Sequence, residues 1–323
     1  MDVAASLTGF FPRSEALVQA TRDLDRGRAR PEAVEALTRT AEAGVADLEA
    51  KLGLAPVTAG YLRWADLFRP FAESWGGFHV GPVTRWFETN TFFRQPILER
   101  PPERSAGAIG RLLPGATGAA PAATAKVLLP GPYTFAGLLD NRSGETSEAL
   151  VHRLGRLLAE ELRELAGQGY RSFQFQEPLL VVRPPAGPAA ESVVAAYRAL
   201  AAAAPGATTT VWTFFADATP ALPLLKRLGV SFVGIDLAET DPAGLPHLEL
   251  GAGLGLGCVD PRTTLREDPE TIAAVAREAA ERLGADRILL GPGGPLDLLP
   301  AGPAGPKLAV LPLARAALLG GGR

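Results

Sequence analysis

Eight short apolar runs, separated for the most part by longer segments of helical periodicity, constrain this chain more than any other feature of its sequence. The runs lie at residues 7–11, 54–59, 126–129, 172–176, 208–214, 232–236, 253–259 and 287–290. Several alternate, or are rich in β-branched and aromatic side chains, and all are too short for helices, so they predict strands. Helical patterns fill 14–24, 31–51, 147–167, 189–204, 220–228, 269–283 and 308–319. Pro31 suits the first position of its helix, Asp268 suits an N-cap, and Gly284 suits a C-terminal stop. Eight strands with helices between them predict an α/β chain folded as a single (β/α)8 TIM barrel over residues 1–323. Its irregular places are the Gly-rich run 253–259 and the link 239–252, which has little helical pattern. A doubly wound sheet would carry a G-x-G-x-x-G turn after its first strand. Here Phe-Phe-Pro ends the first run, and GAGLGLG at 251–257 has the wrong spacing.

Residues 61–125, between the second and third runs, are too many for an ordinary connection. They contain YLRWADLFRPF, then HVGPVTRWFETNTFFRQPIL, whose alternation predicts a β-hairpin, then a Pro/Ala/Gly-rich stretch at 114–125. An excursion that leaves the C-terminal end of a barrel strand is expected to lie over the mouth, where barrel sites form, either as a lid or as a plug.

Composition removes several function classes. With 32 basic and 35 acidic side chains the net charge is −3, so neither nucleic acid nor an anionic membrane is an expected partner. A lone cysteine, Cys258, can form neither an intrachain disulfide nor a two-cysteine zinc site. The N-terminus has no basic stretch followed by an apolar core, and no apolar run approaches the roughly 18 residues of a membrane span. A cytoplasmic protein is expected. His152 falls in a charged helix and His247 in a Pro-rich loop, leaving His79 as the one histidine near the expected mouth. GPGGP at 291–295 offers backbone N–H groups to a phosphate but has no clear helix behind it.

In a barrel the last residues of each strand surround the mouth. Those ends nominate Arg13, Tyr133, Gln176, Glu177, Trp212, Phe214, Asp217, Asp236, Asp260 and Arg262 as substrate-binding residues, and the insertion adds Trp86, Glu88 and Asn90. A carboxylate held there is desolvated and suits acid–base or ammonium-binding work, or else it pairs with an arginine or caps backbone N–H groups. Trp86, Phe87, Trp212 and Phe214 are expected to form an aromatic wall. Cys258 is expected to be a small buried residue.

TGFFPRS at 8–14, WFETNTFF at 86–93, LLPGPYTF at 128–135, FQFQEPLL at 173–180, WTFFAD at 212–217, VGIDLAE at 233–239 and LGLGCVDPRTTLRED at 254–268 occur in this order. Together they resemble the cobalamin-independent methionine synthase family, whose members fold as (β/α)8 barrels. The resemblance implies methyl transfer from a polyglutamylated methyltetrahydrofolate to homocysteine, with zinc lowering the pKa of the thiol. Its metal ligands do not carry over. The His-x-Cys after the fifth strand is matched by Trp212 and Phe214, the glutamate after the sixth by Asp236, and the last cysteine by Gly294. In the family's amino-acid pocket, a serine is matched by Phe10, an acid by Tyr61 and an aspartate by Gln176, while Glu177, Pro178, Asp217 and Asp260 are retained. Residues 86–90, 131–134, 214–217 and 257–262 are more similar to the zinc-free N-terminal barrel of the long synthases.

The resemblance therefore implies a free-standing barrel of that type with no zinc cofactor and no classical activity alone. Its implied partners are folate or a separately encoded catalytic barrel. A methyltransferase with a different donor or acceptor and a decayed paralogue are the alternatives.

Overall fold

Short apolar segments bounded by Gly, Pro or polar turns have the length of buried strands, and the chain uses them so. The computed structural model describes residues 1–320. Among these the strands are β1 (Asp2–Ala5), β2 (Gly76–Arg85), β3 (Phe92–Glu103), β4 (Lys126–Pro130), β5 (Asp140–Asn141), β6 (Ser172–Gln176), β7 (Thr208–Trp212), β8 (Phe232–Asp236), β9 (Gly253–Val259) and β10 (Arg287–Pro292). Seven form one parallel sheet in the order β1-β10-β9-β8-β7-β6-β4. Helices Pro31–Lys51, Ser147–Gly167, Pro188–Ala203 and Pro269–Arg282 alternate with it along the chain. Ser147–Gly167 buries Leu150, Leu154, Leu158, Leu162 and Leu165, a stripe three or four residues apart that suits a helix laid on a sheet.

The gap between β1 and β4 is closed by residues 55–57. Ala55 N–H donates to Ala5 O at 2.9 Å, Val57 N–H to Thr124 O at 2.9 Å, and Lys126 N–H to Val57 O at 2.7 Å. The second strand expected at 54–59 is thus in place but reduced to a single bridge, Val57 to Ala125. Pro56 has no N–H for a ladder, and buried Glu49 takes the next two, from Thr58 at 3.0 Å and Ala59 at 2.8 Å. A side chain fills part of the missing ladder: the Tyr61 hydroxyl donates to Lys126 O at 2.8 Å and accepts from Leu128 N–H at 2.7 Å.

Three further elements differ from expectation. The first strand is Asp2–Ala5, before the run 7–11. Two alanines give DVAA little apolar signal, whereas the more apolar run 7–11 buries Leu7 and carries the half-buried Phe10 and Phe11 past the strand end. The helix expected at 220–228 is a chain of short turns around Leu222–Leu225, because Pro220 and Pro223 interrupt the hydrogen-bond ladder. The closing segment divides into helices Ala301–Leu308 and Val310–Gly320.

The glycines of β9 have a packing reason. Trp212, Gly234 and Gly255 share one register row across β7, β8 and β9. A Cβ on Gly234 would lie 2.3 Å from the indole of Trp212, and one on Gly255 would lie 2.5 Å from it. The Trp212 ring fills the barrel interior where those two side chains would be.

The segment between residue 57 and β4 builds the antiparallel pair β2 and β3, with β5 added in parallel to β3. The pair rests on an aromatic cluster in which Phe68, Phe71, Trp75 and Phe78 surround Phe135 and Phe93 meets Phe68, and Phe78 stacks on Phe135 at 5.6 Å. Phe135 belongs to the helix directly after β4, so the hairpin is anchored beside the barrel mouth. No helix among the described residues is long and apolar enough to cross a membrane.

Candidate functional site at the barrel mouth

Inside the sheet a polar chain runs toward the mouth. The ammonium of Lys126, 2% exposed, donates to Leu7 O at 2.8 Å and to Gln174 Oε1 at 3.0 Å. Burial pulls its pKa down to about 7, against the opposing pull of Glu49. Gln174 Nε2 and Gln176 Nε2 both donate to the carbonyl of Thr8, the latter at 2.5 Å. With its amide nitrogen committed there, Gln176 keeps Oε1 buried without a hydrogen-bond partner. Gln176 lines a cleft of about 50 Å3 that is also bordered by Phe10, Trp86, Phe93 and Phe214. Asp66 and Asp297 complete its polar edge.

Two residues of strained backbone directly follow rings that border this cleft, Phe87 after Trp86 and Phe215 after Phe214. Among the described residues, the non-glycine positions with φ in the left-handed region are Ala59, Tyr61, Phe87 and Phe215, at 53°, 55°, 48° and 77°. Each costs of order 1 kcal/mol or more and persists only where the surroundings hold it, as at ligand sites and clamps. The Phe87 and Phe215 rings meet with centroids 5.2 Å apart, joining the hairpin turn to the loop after β7.

The structure divides the nominated residues. Trp86 and Phe214 border the cleft, while Trp212 lies below it, fully buried, its indole N–H donating to Gly293 O at 3.2 Å. Glu177 is buried and caps the helix after β4, accepting from Tyr133 N–H at 3.1 Å, Thr134 N–H at 2.8 Å and the Tyr197 hydroxyl at 3.1 Å. Burial pushes its carboxyl up to about 7 although these donors favour the charge. A Cβ on Gly131 would overlap this carboxylate, which is why glycine precedes Pro132. The hydroxyl of Tyr133 donates to Arg183 O at 2.9 Å.

A second group collects at the ends of β8 and β9. Arg262 pairs with Asp260 at 2.9 Å, with Glu239, and with Asp236 at 3.9 Å. Asp236 also accepts from Ala238 N–H at 3.0 Å, and burial raises its carboxyl to about 6. Asp217, exposed, accepts from Thr219 N–H as a turn cap. Glu88 and Asn90 are exposed on the hairpin turn, and Arg13 is half-buried where its charge acts on Asp297.

Sequence reasoning passed over Asp66, Asp297 and Lys126. Asp66 accepts from Phe68, Arg69 and Arg94 N–H, and the Asp just ahead of Phe-Arg-Pro was its available signal as a cap. Lys126 opens a run of apolar residues, and only the closed sheet shows that its ammonium is inside.

A zinc ion does not fit this donor set. Among the described residues no group of three His, Cys, Asp or Glu could hold a metal ion. The Cys258 thiol is buried against Gly291 O, and burial pushes it up to about 12, far from the thiolate that zinc requires. Phe214 stands over Gly294, where an added Cβ would meet its ring at 3.4 Å.

Residues 69–284 match the family described as cobalamin-independent synthase, N-terminal domain. The chain belongs to the cobalamin-independent methionine synthase family. It is 30% identical over 262 residues to a 5-methyltetrahydropteroyltriglutamate–homocysteine methyltransferase of Nitratidesulfovibrio vulgaris strain Hildenborough, a match covering 74% of this chain and 33% of that protein. Against the enzyme of that name from Mycobacterium bovis BCG the identity is 33% over 242 residues, covering 70% and 30%. The chain thus spans about a third of the length of these methionine synthases. Among solved structures, a B12-independent methionine synthase from Shewanella sp. W3-18-1, in complex with selenomethionine, superposes with a TM-score of 0.76 at 16% identity, covering 98% of both chains. A methyltransferase from Methanosarcina mazei superposes at 0.55 and 14% identity, covering 98% and 93%. These likenesses are likenesses of fold, and they agree with the (β/α)8 barrel.

Proposed function

We propose that this member of the methionine synthase family is a cytoplasmic, non-catalytic accessory barrel that works with a separately encoded catalytic barrel in methyl transfer from folate to homocysteine. The observation that carries the reading is the filling of the barrel mouth. Trp212 occupies the interior over Gly234 and Gly255, Phe214 covers Gly294, and a cleft of about 50 Å3 is left. That volume holds a few waters, whereas sites that enclose a small molecule start at several hundred Å3. The match to the N-terminal domain and the span of about a third of the long relatives fit a chain that supplies one part of a larger machine.

In this reading the strained contact of Phe87 with Phe215 and the exposed turn with Glu88 and Asn90 are what the hairpin offers to its partner or to a folate held between the two barrels. Mixing this chain with a zinc-loaded catalytic barrel should give a complex that co-elutes on gel filtration. Methyl transfer from methyltetrahydrofolate triglutamate should then run faster than with the catalytic barrel alone. No complex together with an unchanged rate would overturn the reading. So would one tightly held zinc per chain after dialysis.

A further inference from the structure

The cleft at the mouth is a seam between two parts of the chain. Leu67, Trp86 and Phe93 line it from the insertion, and Phe10, Gln176 and Phe214 line it from the barrel. The insertion is fastened unevenly along this seam. On the side of β4, Phe135 packs with Phe71, Trp75 and Phe78, and on the side of β1, Phe10 meets Tyr61 and Trp64. Toward β7 the hairpin turn reaches the barrel through one ring pair, Phe87 against Phe215 at 5.2 Å. Among the described residues, every hydrogen bond that residues 86–91 make stays within the turn, as from Trp86 N–H to Thr91 O at 2.9 Å and from Thr89 N–H to Trp86 O at 3.2 Å. The turn is therefore a unit tied to itself, and ring packing alone ties it to the loop after β7.

That packing is opposed from both sides. Phe87 and Phe215 are half-buried, with φ at 48° and 77°, where a bulky side chain crowds its own backbone. Gln176 Oε1 lies buried and unpaired in the closed seam, a loss that water entering a wider seam would relieve. The attraction of one ring pair is of the same order as the strain of its two residues.

We infer that Phe87 and Phe215 form a latch: the insertion is hinged on its β1 and β4 sides and opens on its β7 side when the two rings part, widening the seam over Gln176. The latch is a property of this chain alone and holds whether or not a catalytic barrel docks at the mouth.

Thiol labelling of the full chain tests it. Leu67→Cys places a thiol in the seam at a position 5% exposed, beside a cleft too small for fluorescein maleimide. Buried Cys258, which does not line the seam, gives the rate for loosening of the whole fold in the same molecule. The introduced thiol should react about tenfold or more faster than Cys258. Adding Phe215→Ala should speed it by roughly another tenfold and leave the Cys258 rate unchanged. Phe87→Ala and Phe87→Gly both remove the ring, but only glycine adopts this φ freely, so the glycine variant should react about fivefold more slowly than the alanine one. Acrylamide quenching repeats the test without a new thiol. Of the four tryptophans only Trp86 borders the seam, so Phe215→Ala should raise quenching of the indole emission, and Trp86→Phe should abolish the rise. An introduced thiol no faster than Cys258, a rate unchanged by Phe215→Ala, equal acceleration of both thiols, a glycine variant as fast as the alanine one, or extra quenching that survives Trp86→Phe would overturn the latch.

Discussion

Two side chains at the mouth are better understood by what they hold than by what they could catalyse. The Tyr61 hydroxyl stands in for strand backbone, serving one carbonyl and one N–H of β4. Tyr61→Phe leaves both groups buried and unpaired, so stability should fall by about 1–3 kcal/mol for each group, read as a lower urea midpoint with an unchanged slope. Glu177 meets three donors. In Glu177→Gln the amide has one acceptor oxygen where two were used, and an NH2 faces a backbone N–H. Unfolding should be easier by about 1–3 kcal/mol, with wild-type-like circular dichroism at low temperature. A variant as stable as the parent would show that this carboxylate is not a cap.

At the scale of elements, strand β9 and the end of β7 are designed around one ring. Trp212→Ala should cost about 3–5 kcal/mol, because the indole is fully buried and leaves a cavity. Gly255→Ala places a methyl 2.5 Å from that ring and should cost about 1–3 kcal/mol by overpacking. Combined with Trp212→Ala, the same methyl should cost less, since of the contacts under 3.0 Å only the one to the Gly234 backbone at 2.9 Å remains, and a double-mutant cycle of unfolding free energies reads this coupling directly. Additive losses would mean that the glycine serves something other than the indole. The period of the apolar pattern made most strands and the long helices legible beforehand, and Ser147–Gly167 matched the expected 147–167. It could not reveal that Gly255 answers to Trp212, because a glycine carries no periodic signal and its reason lies on another strand.

Over the whole molecule, buried charges set the response to pH. Lys126 holds a pKa of about 7 in the fold and about 10.4 when unfolded, so between these values the unfolded chain carries the extra proton and stability rises with pH. Glu177, at about 7 folded and about 4.3 unfolded, acts in the opposite sense: stability is lost as pH rises through that window. Thermal unfolding midpoints should therefore pass through a minimum near pH 7. Lys126→Met should remove the alkaline rise, and a midpoint that falls steadily from pH 7 to 10 in the parent protein would contradict the buried lysine.

Sequence alone determined the alternation of strand and helix, the barrel and the family, because these depend on residue type and on spacing along the chain. It also marked the carboxylates and rings of the strand ends as a group. Tertiary structure decided their employment: Glu177 as a cap, Trp212 as a filler and Tyr61 as a replacement for strand backbone. Those roles depend on which donors and walls come within about 3–4 Å once the sheet closes, and such distances join residues far apart along the chain.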